Sequence, residues 1–168
     1  IASGFVYDDD QEVHLLTDPK LRKLIHIFEN APKPIVIFCV FRPALERIVT
    51  ALRARGYDID ELHGGVKKKD RPAILRRFQK AQVDGIVCQN RTGGVGVDLW
   101  KASLAIVHSM SHSYIDYDQL KSRLDNRVKK KASRVLVLCG DETIDMDLYD
   151  LVIMKRLDAE SVLSQLRR

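Results

Sequence analysis

Five short apolar runs, PIVIFCV (34–40), IDELH (59–63), DGIVCQ (84–89), LAIVHS (104–109) and RVLVLCG (134–140), are separated by stretches far longer than hairpin turns. That alternation leaves few folds open. Antiparallel neighbours can be joined by two residues, whereas parallel strands need a crossover of a dozen or more, usually a helix. Helical apolar spacing is present where it is needed, in DPKLRKLIHIFENA (18–31), RPALERIVTALRARG (42–56), DRPAILRRFQKA (70–81) and YIDYDQLKSRLDNR (114–127). Asp18 before Pro19, and Asp70 before Arg71 and Pro72, place a capping side chain ahead of a first-turn proline, and Gly56 is expected to end its helix as a C′ residue. The expected fold is α/β, a doubly wound parallel sheet with helices on both faces and a helical tail from about residue 143.

Apolar residues make up 45% of the 168, enough for one domain with a real core. The chain opens on Ile1 with no leader and holds no apolar stretch of membrane-spanning length, so we expect a fragment of a longer soluble, intracellular protein. Cys39, Cys88 and Cys139 are far apart and lie in apolar runs, which reads as reduced core thiols. The net charge of +5 is unevenly spread, with basic KKKDR (67–71) and RVKKKASR (127–134) against acidic DDDQE and DETIDMD. Such clustering suggests a polyanion on one face, a solvated loop surface being the alternative.

In open α/β sheets ligands bind beyond the carboxyl ends of the strands. The loops there are FRP, HGGVKKKDR, NRTGGVGVDL and MSHSYIDYDQ. The glycine loop is not a dinucleotide fingerprint, because Leu99 stands where a third glycine is required, and no Gly-Lys-Ser/Thr closes it as a P-loop. Its glycines can let backbone N–H groups approach a phosphate, with Arg91 and Thr92 adding a charge and a hydroxyl, or they can simply turn a corner. Gln119, Arg123 and Arg127 follow one another at i+4 on a single helical stripe. An arginine there suits stabilisation of a transferring phosphoryl group, or belongs to an ordinary charged face with Asp116, Asp118 and Asp125. A cysteine phosphatase or sulfurtransferase would require an arginine six residues after its cysteine, yet Leu45 and Gly94 stand there for Cys39 and Cys88. No histidine has metal-ligand spacing to another histidine or cysteine that survives the strand-to-loop boundary at His108 and His112. Trp100 is read as packing its loop against the core, with stacking on nucleic acid as the other use.

Taken in order, the segments DPKLRKLIHIFENAPKPIVIFCVFRPALERI, ELHGGVKKKDRPAILRRFQ, NRTGGVGVDLWKAS and YDQLKSRLDNR resemble the motifs of one family. The chain is similar to the second, C-terminal RecA-like lobe of superfamily-two helicase-like ATPases, and most of all to the Swi/Snf-type double-stranded-DNA translocases, including compact phage and bacterial forms. The resemblance runs from about Gly4 to Val152 and includes Gly64, Arg71 and Phe78 at the family's offsets and Ala102 after the glycine motif.

The resemblance implies that residues 1–168 are this second lobe, that the absent first lobe holds most of ATP and its Mg²⁺, and that the lobe is inert alone. It assigns Arg123 and Arg127 to catalysis as arginine fingers, and Gly94, Gly96, Asp98 and Gln119 to the nucleotide cleft. Arg42, His63, Gly64, Lys67, Arg91, Thr92 and Gly93 are assigned to the backbone of duplex DNA. The implied partners are thus duplex DNA and the first lobe, with no membrane. Three departures bear on competence: Asn126 stands where the second finger is usual, Val128-Lys129 replace a Gly-Gln pair, and Gln89-Asn90 replace Ser-Thr. They motivate an alternative, a degenerate lobe that binds DNA or a protein without hydrolysing ATP.

Overall fold

The structure, a computed structural model, describes residues 5–8, 10, 12–89, 98–124 and 133–166. Two short strands, β1 (Phe5–Tyr7) and β2 (Val13–Leu15), pair antiparallel with Val6 opposite His14. The remaining strands are β3 (Ile35–Cys39), β4 (Ile59–Leu62), β5 (Gly85–Gln89), β6 (Leu104–Val107) and β7 (Arg134–Val137). They form one sheet in the order β4-β5-β3-β6-β7, every pair parallel. The helices are α1 (Pro19–Asn30), α2 (Arg42–Arg53), α3 (Arg71–Gln79), α4 (Tyr114–Ser122) and α5 (Ile144–Leu166). The five expected runs are these five strands, and the doubly wound architecture is as the alternation requires.

Strand β3 is buried at every position because both sheet faces are covered. Its alternate residues divide between two apolar clusters. Ile35, Ile37 and Cys39 pack with Leu24 and Phe28 of α1 and Leu45, Ile48 and Leu52 of α2. Val36 and Phe38 pack on the other side with Phe78 of α3, Leu120 of α4, and Leu99 and Ala102 from the connection between β5 and β6. Each fully buried leucine, isoleucine or phenylalanine contributes about 1.5–3 kcal/mol by leaving water. The connections after β3 and after β6 therefore lead to helices on opposite faces of the sheet, the arrangement that in open α/β folds places ligands at the carboxyl edge.

Local chemistry explains most of the boundaries. Asp18 Oδ1 accepts from the Leu21 N–H at 2.8 Å, as expected of a cap. Asp70 does not cap: at φ −90°, ψ −22° it is already helical, so its side chain makes no cap bond and its carbonyl accepts from Ala73 and Ile74 instead. Gly56, at φ +85°, ends α2 with Gly56 N–H on the Arg53 carbonyl and Tyr57 N–H on the Leu52 carbonyl, the paired bonds of a Schellman ending. Four strands, β3, β4, β6 and β7, stop earlier than expected. His108 N–H still reaches the Phe38 carbonyl at 2.8 Å, but the Val40 N–H is taken by the Ser109 hydroxyl at 2.9 Å, which ends the ladder. Helix α4 also stops short of its expected reach, with Arg123 as C-cap and Leu124 in the following turn. The β1–β2 pair was not legible as a hairpin. Its strands have three residues each, and their turn is organised by Asp8 Oδ1 accepting from the Asp10 and Glu12 N–H groups.

Candidate functional site

The candidate site is the carboxyl edge of the sheet. After β3 the chain turns at Val40 and Phe41 straight into α2, so Arg42 is that helix's first residue and 47% of its side chain is exposed. After β4 comes a tight loop. Val66 N–H donates to the His63 carbonyl at 3.0 Å, Asp70 N–H to that of Lys67 at 3.0 Å, and Arg71 Nε to that of Val66 at 3.2 Å. These bonds leave Lys67, Lys68 and Lys69 exposed as one basic turn. Gly64 is exposed, and a Cβ added there would meet nothing within 4 Å, so no packing demands its glycine. Gly65 differs: a Cβ there would stand 2.9 Å from Arg42 Nη1 and 3.2 Å from His63 Nδ1.

The two loops meet through His63, which is buried to 6% exposure. Its Nδ1 lies 2.9 Å from Arg42 Nη1 and 3.0 Å from the Gly65 N–H, and its Nε2 lies 3.5 Å from Glu61 Oε2. Arg42 Nε also donates to Glu46 Oε1 at 2.7 Å. Of the residues assigned to nucleic acid, the fold thus brings Arg42, His63 and the Gly64–Lys67 loop together. Arg91, Thr92 and Gly93 lie outside the described residues, as do Gly94, Gly96 and Arg127.

Helix α4 starts with Ser113 Oγ accepting the Asp116 N–H at 3.2 Å, a cap that the sequence reading did not single out. Gln119 is exposed on its last turn, and Arg123 N–H donates to the Gln119 carbonyl at 3.3 Å, which keeps both residues on one stripe. The Arg123 carbonyl in turn accepts from Leu99 N–H at 2.9 Å, so the end of α4 is tied to the far side of the glycine loop. The guanidinium lies near enough to the carboxyl end of β5 for its charge to act on Cys88. Asp98 is exposed; its Oδ1 accepts from Trp100 N–H at 3.3 Å and its carbonyl from the Gln79 amide of α3. Trp100 is half-buried with Lys101 Nζ 5.9 Å from its ring centre.

Burial removes the cysteine alternative. Cys39 and Cys88 are buried; the Cys88 thiol is pushed up to about 12, with Arg123 only partly opposing the loss of solvation. Burial likewise pushes the Cys39 thiol well up, and its Sγ rests 3.7 Å from the Cys88 carbonyl. Neither supplies a thiolate at neutral pH.

A second charged cluster at this edge was not legible in the sequence. Lys20 Nζ meets Asp145 Oδ2 at 2.7 Å with both side chains buried, and the same oxygen accepts the Gly140 N–H at 3.0 Å. Beside it His108 has no exposed surface and no hydrogen-bond partner on either ring nitrogen among the described residues. Burial, reinforced by the Lys20 charge, holds its pKa down at about 4, so the ring is neutral. Among the described residues Asp8, Glu12 and His14 are close enough to share an ion, but they are exposed, and Asp8 already accepts from turn N–H groups and meets His14 Nε2 at 2.6 Å.

A family model described as helicase conserved C-terminal domain matches residues 19–127. The chain is similar to the pre-mRNA-splicing ATP-dependent RNA helicase PRP28 of Debaryomyces hansenii, 26% identical over 140 residues that make up 80% of this chain and 24% of that protein. It is also similar to chromodomain-helicase-DNA-binding protein 1-like of Danio rerio, 23% identical over 145 residues, 86% of this chain and 14% of that protein. The chain spans about a quarter or less of the length of these relatives. Among solved structures, the C-terminal part of the Fun30 ATPase domain superposes with a TM-score of 0.70 at 20% identity, covering 79% of this chain and 43% of that one. The C-terminal domain of the DEAD-box protein Dbp5 superposes with a TM-score of 0.71 at 12% identity, covering 83% and 79%. These superpositions establish the fold as RecA-like. No helix among the described residues is long and apolar enough to cross a membrane.

Proposed function

The chain belongs to the helicase conserved C-terminal domain family, and on that premise we propose that it is the second lobe of a duplex-DNA-stimulated ATPase, residues 1–168 forming that lobe. The observation that carries this reading is the convergence at one sheet edge of Arg42, the Gly64–Lys67 loop and the Gln119–Arg123 turn of α4. All of these offer hydrogen-bond donors or positive charge, which suits phosphates. ATP with its Mg²⁺ supplies the scissile phosphoanhydride; Arg123 is the side chain of this lobe assigned to its phosphates, and Gln119 is assigned to orient α4 at the cleft. Acids for the ion are assigned to the first lobe. Arg127, Gly94, Gly96 and Asp98 keep their nucleotide-side assignments, and Arg91, Thr92 and Gly93 theirs on the DNA backbone.

In this scheme cleft closure brings Arg123 to the γ-phosphate, where an arginine stabilises charge that grows in the transition state. Contacts to phosphates carry no sequence information, so binding is tolerant of sequence and falls with salt. The setting is intracellular. Duplex DNA is proposed on the Swi/Snf-like motif order; the relatives include both an RNA helicase and a chromodomain-helicase-DNA-binding protein.

The test is ATP hydrolysis by the intact protein carrying this chain, with duplex DNA, with single-stranded RNA and without either, for the natural sequence and Arg123→Ala. We expect DNA-dependent turnover that falls at least a hundredfold in the variant. Stimulation by RNA alone would assign the lobe to the RNA helicases. Duplex binding without turnover in either protein would identify a degenerate lobe, the outcome motivated by Asn126 and by the missing Gly-Gln pair.

A further inference from the structure

We propose that His63 is a positioning residue that holds Arg42 for the nucleic-acid backbone through an unprotonated Nδ1. The inference rests on the backbone role of Arg42 proposed above and deepens it.

Both groups facing Nδ1, Arg42 Nη1 at 2.9 Å and the Gly65 N–H at 3.0 Å, can only donate. Nδ1 must therefore carry its lone pair, and the ring proton sits on Nε2, 3.5 Å from the Glu61 carboxylate. Glu46 takes the Nε–H of Arg42 at 2.7 Å. The guanidinium is thus held at Nε and Nη1, and Nη2 has no partner among the described residues and is left for a phosphate. Gly65 permits the arrangement, since a Cβ would stand 2.9 Å from Nη1.

The charged groups around the ring are Arg42 and Glu46 of α2 and Glu61 of β4, the last also 3.5 Å from Arg53 of α2.

The experiment measures binding of the intact protein to a labelled random-sequence DNA duplex and to a labelled single-stranded RNA at fixed salt. It compares the natural sequence with Arg42→Ala, His63→Ala and His63→Asn. Asparagine places an amide acceptor near the position of Nδ1. We expect Arg42→Ala and His63→Ala to weaken binding about tenfold, the loss of one charge-assisted hydrogen bond. His63→Asn is expected to bind within about twofold of the natural sequence. If Arg42→Ala weakens binding but His63→Ala does not, the positioning role is overturned while the backbone role stands. If Arg42→Ala binds normally, both fall. Should His63→Ala fail to fold, the decision passes to His63→Asn: binding weakened as far as in Arg42→Ala overturns the proposal.

Discussion

Lys20 and Arg42 each stand in the first turn of a helix on the same face of the sheet, and each meets a carboxylate at 2.7 Å, yet the two pairs do different work. The Lys20–Asp145 pair is 6% and 9% exposed; the Arg42–Glu46 pair is 47% and 55% exposed. Contact distance is therefore no guide to role, and burial is. A buried pair cannot lose one member without stranding the other in a poor solvent. An exposed pair is screened, contributes little to folding, and leaves donors for a ligand. Lys20 and Asp145 tie α1 to the start of α5, whereas Arg42, though held by Glu46 and His63, stays exposed.

Breaking the buried pair should have the largest effect. Lys20→Ala is expected to lower unfolding free energy by about 3–5 kcal/mol in urea titrations at neutral pH, and Lys20→Met combined with Asp145→Leu to recover most of it. A loss below about 1 kcal/mol would mean that water reaches Asp145 and that the two pairs are alike.

Acid should act on the same cluster next. His108 has a folded pKa of about 4 against an ordinary 6.5, so on acidification the unfolded chain takes its proton first. Its contribution is full above the ordinary value and is lost as pH falls from about 6.5 toward 4, on the order of 3 kcal/mol in all. Urea midpoints over that range should fall more steeply for the natural chain than for His108→Leu. Parallel profiles would place the acid sensitivity elsewhere.

The smallest effect sharpens the other side of the comparison. Glu46→Ala removes the exposed partner of Arg42 and should cost no more than about 0.5 kcal/mol, a Tm change within about 2 °C. A larger shift would show that the outward-facing cluster also supports the fold.

How much was legible depends on how far apart the interacting residues lie. The strands could be read because apolar runs and their spacing are properties of a few neighbouring residues, and the Asp18 cap and the Gly56 ending for the same reason. Asp70 misled because a capping residue type is not enough; the backbone there had already entered the helix. Of the candidate site, the loops could be located but the partnerships could not. The family resemblance assigns His63 to nucleic acid, and nothing in ELHGG signals that its ring meets Arg42. The Schellman-like turn at Ala81, a non-glycine at φ +54°, also left no signal, since alanine gives no hint of a left-handed backbone.

By itself, then, the sequence determined the α/β alternation, the helix ends and the set of loops that gather at one edge, because each depends on local periodicity and local backbone chemistry. Only the tertiary structure decided which charges are buried and which remain available. Lys20 and Asp145 are 125 residues apart, and Arg42 and His63 are 21 apart. Solvation is set by everything that packs around a group, so a lysine that anchors a fold and an arginine left at the surface are indistinguishable until the chain has closed over one of them.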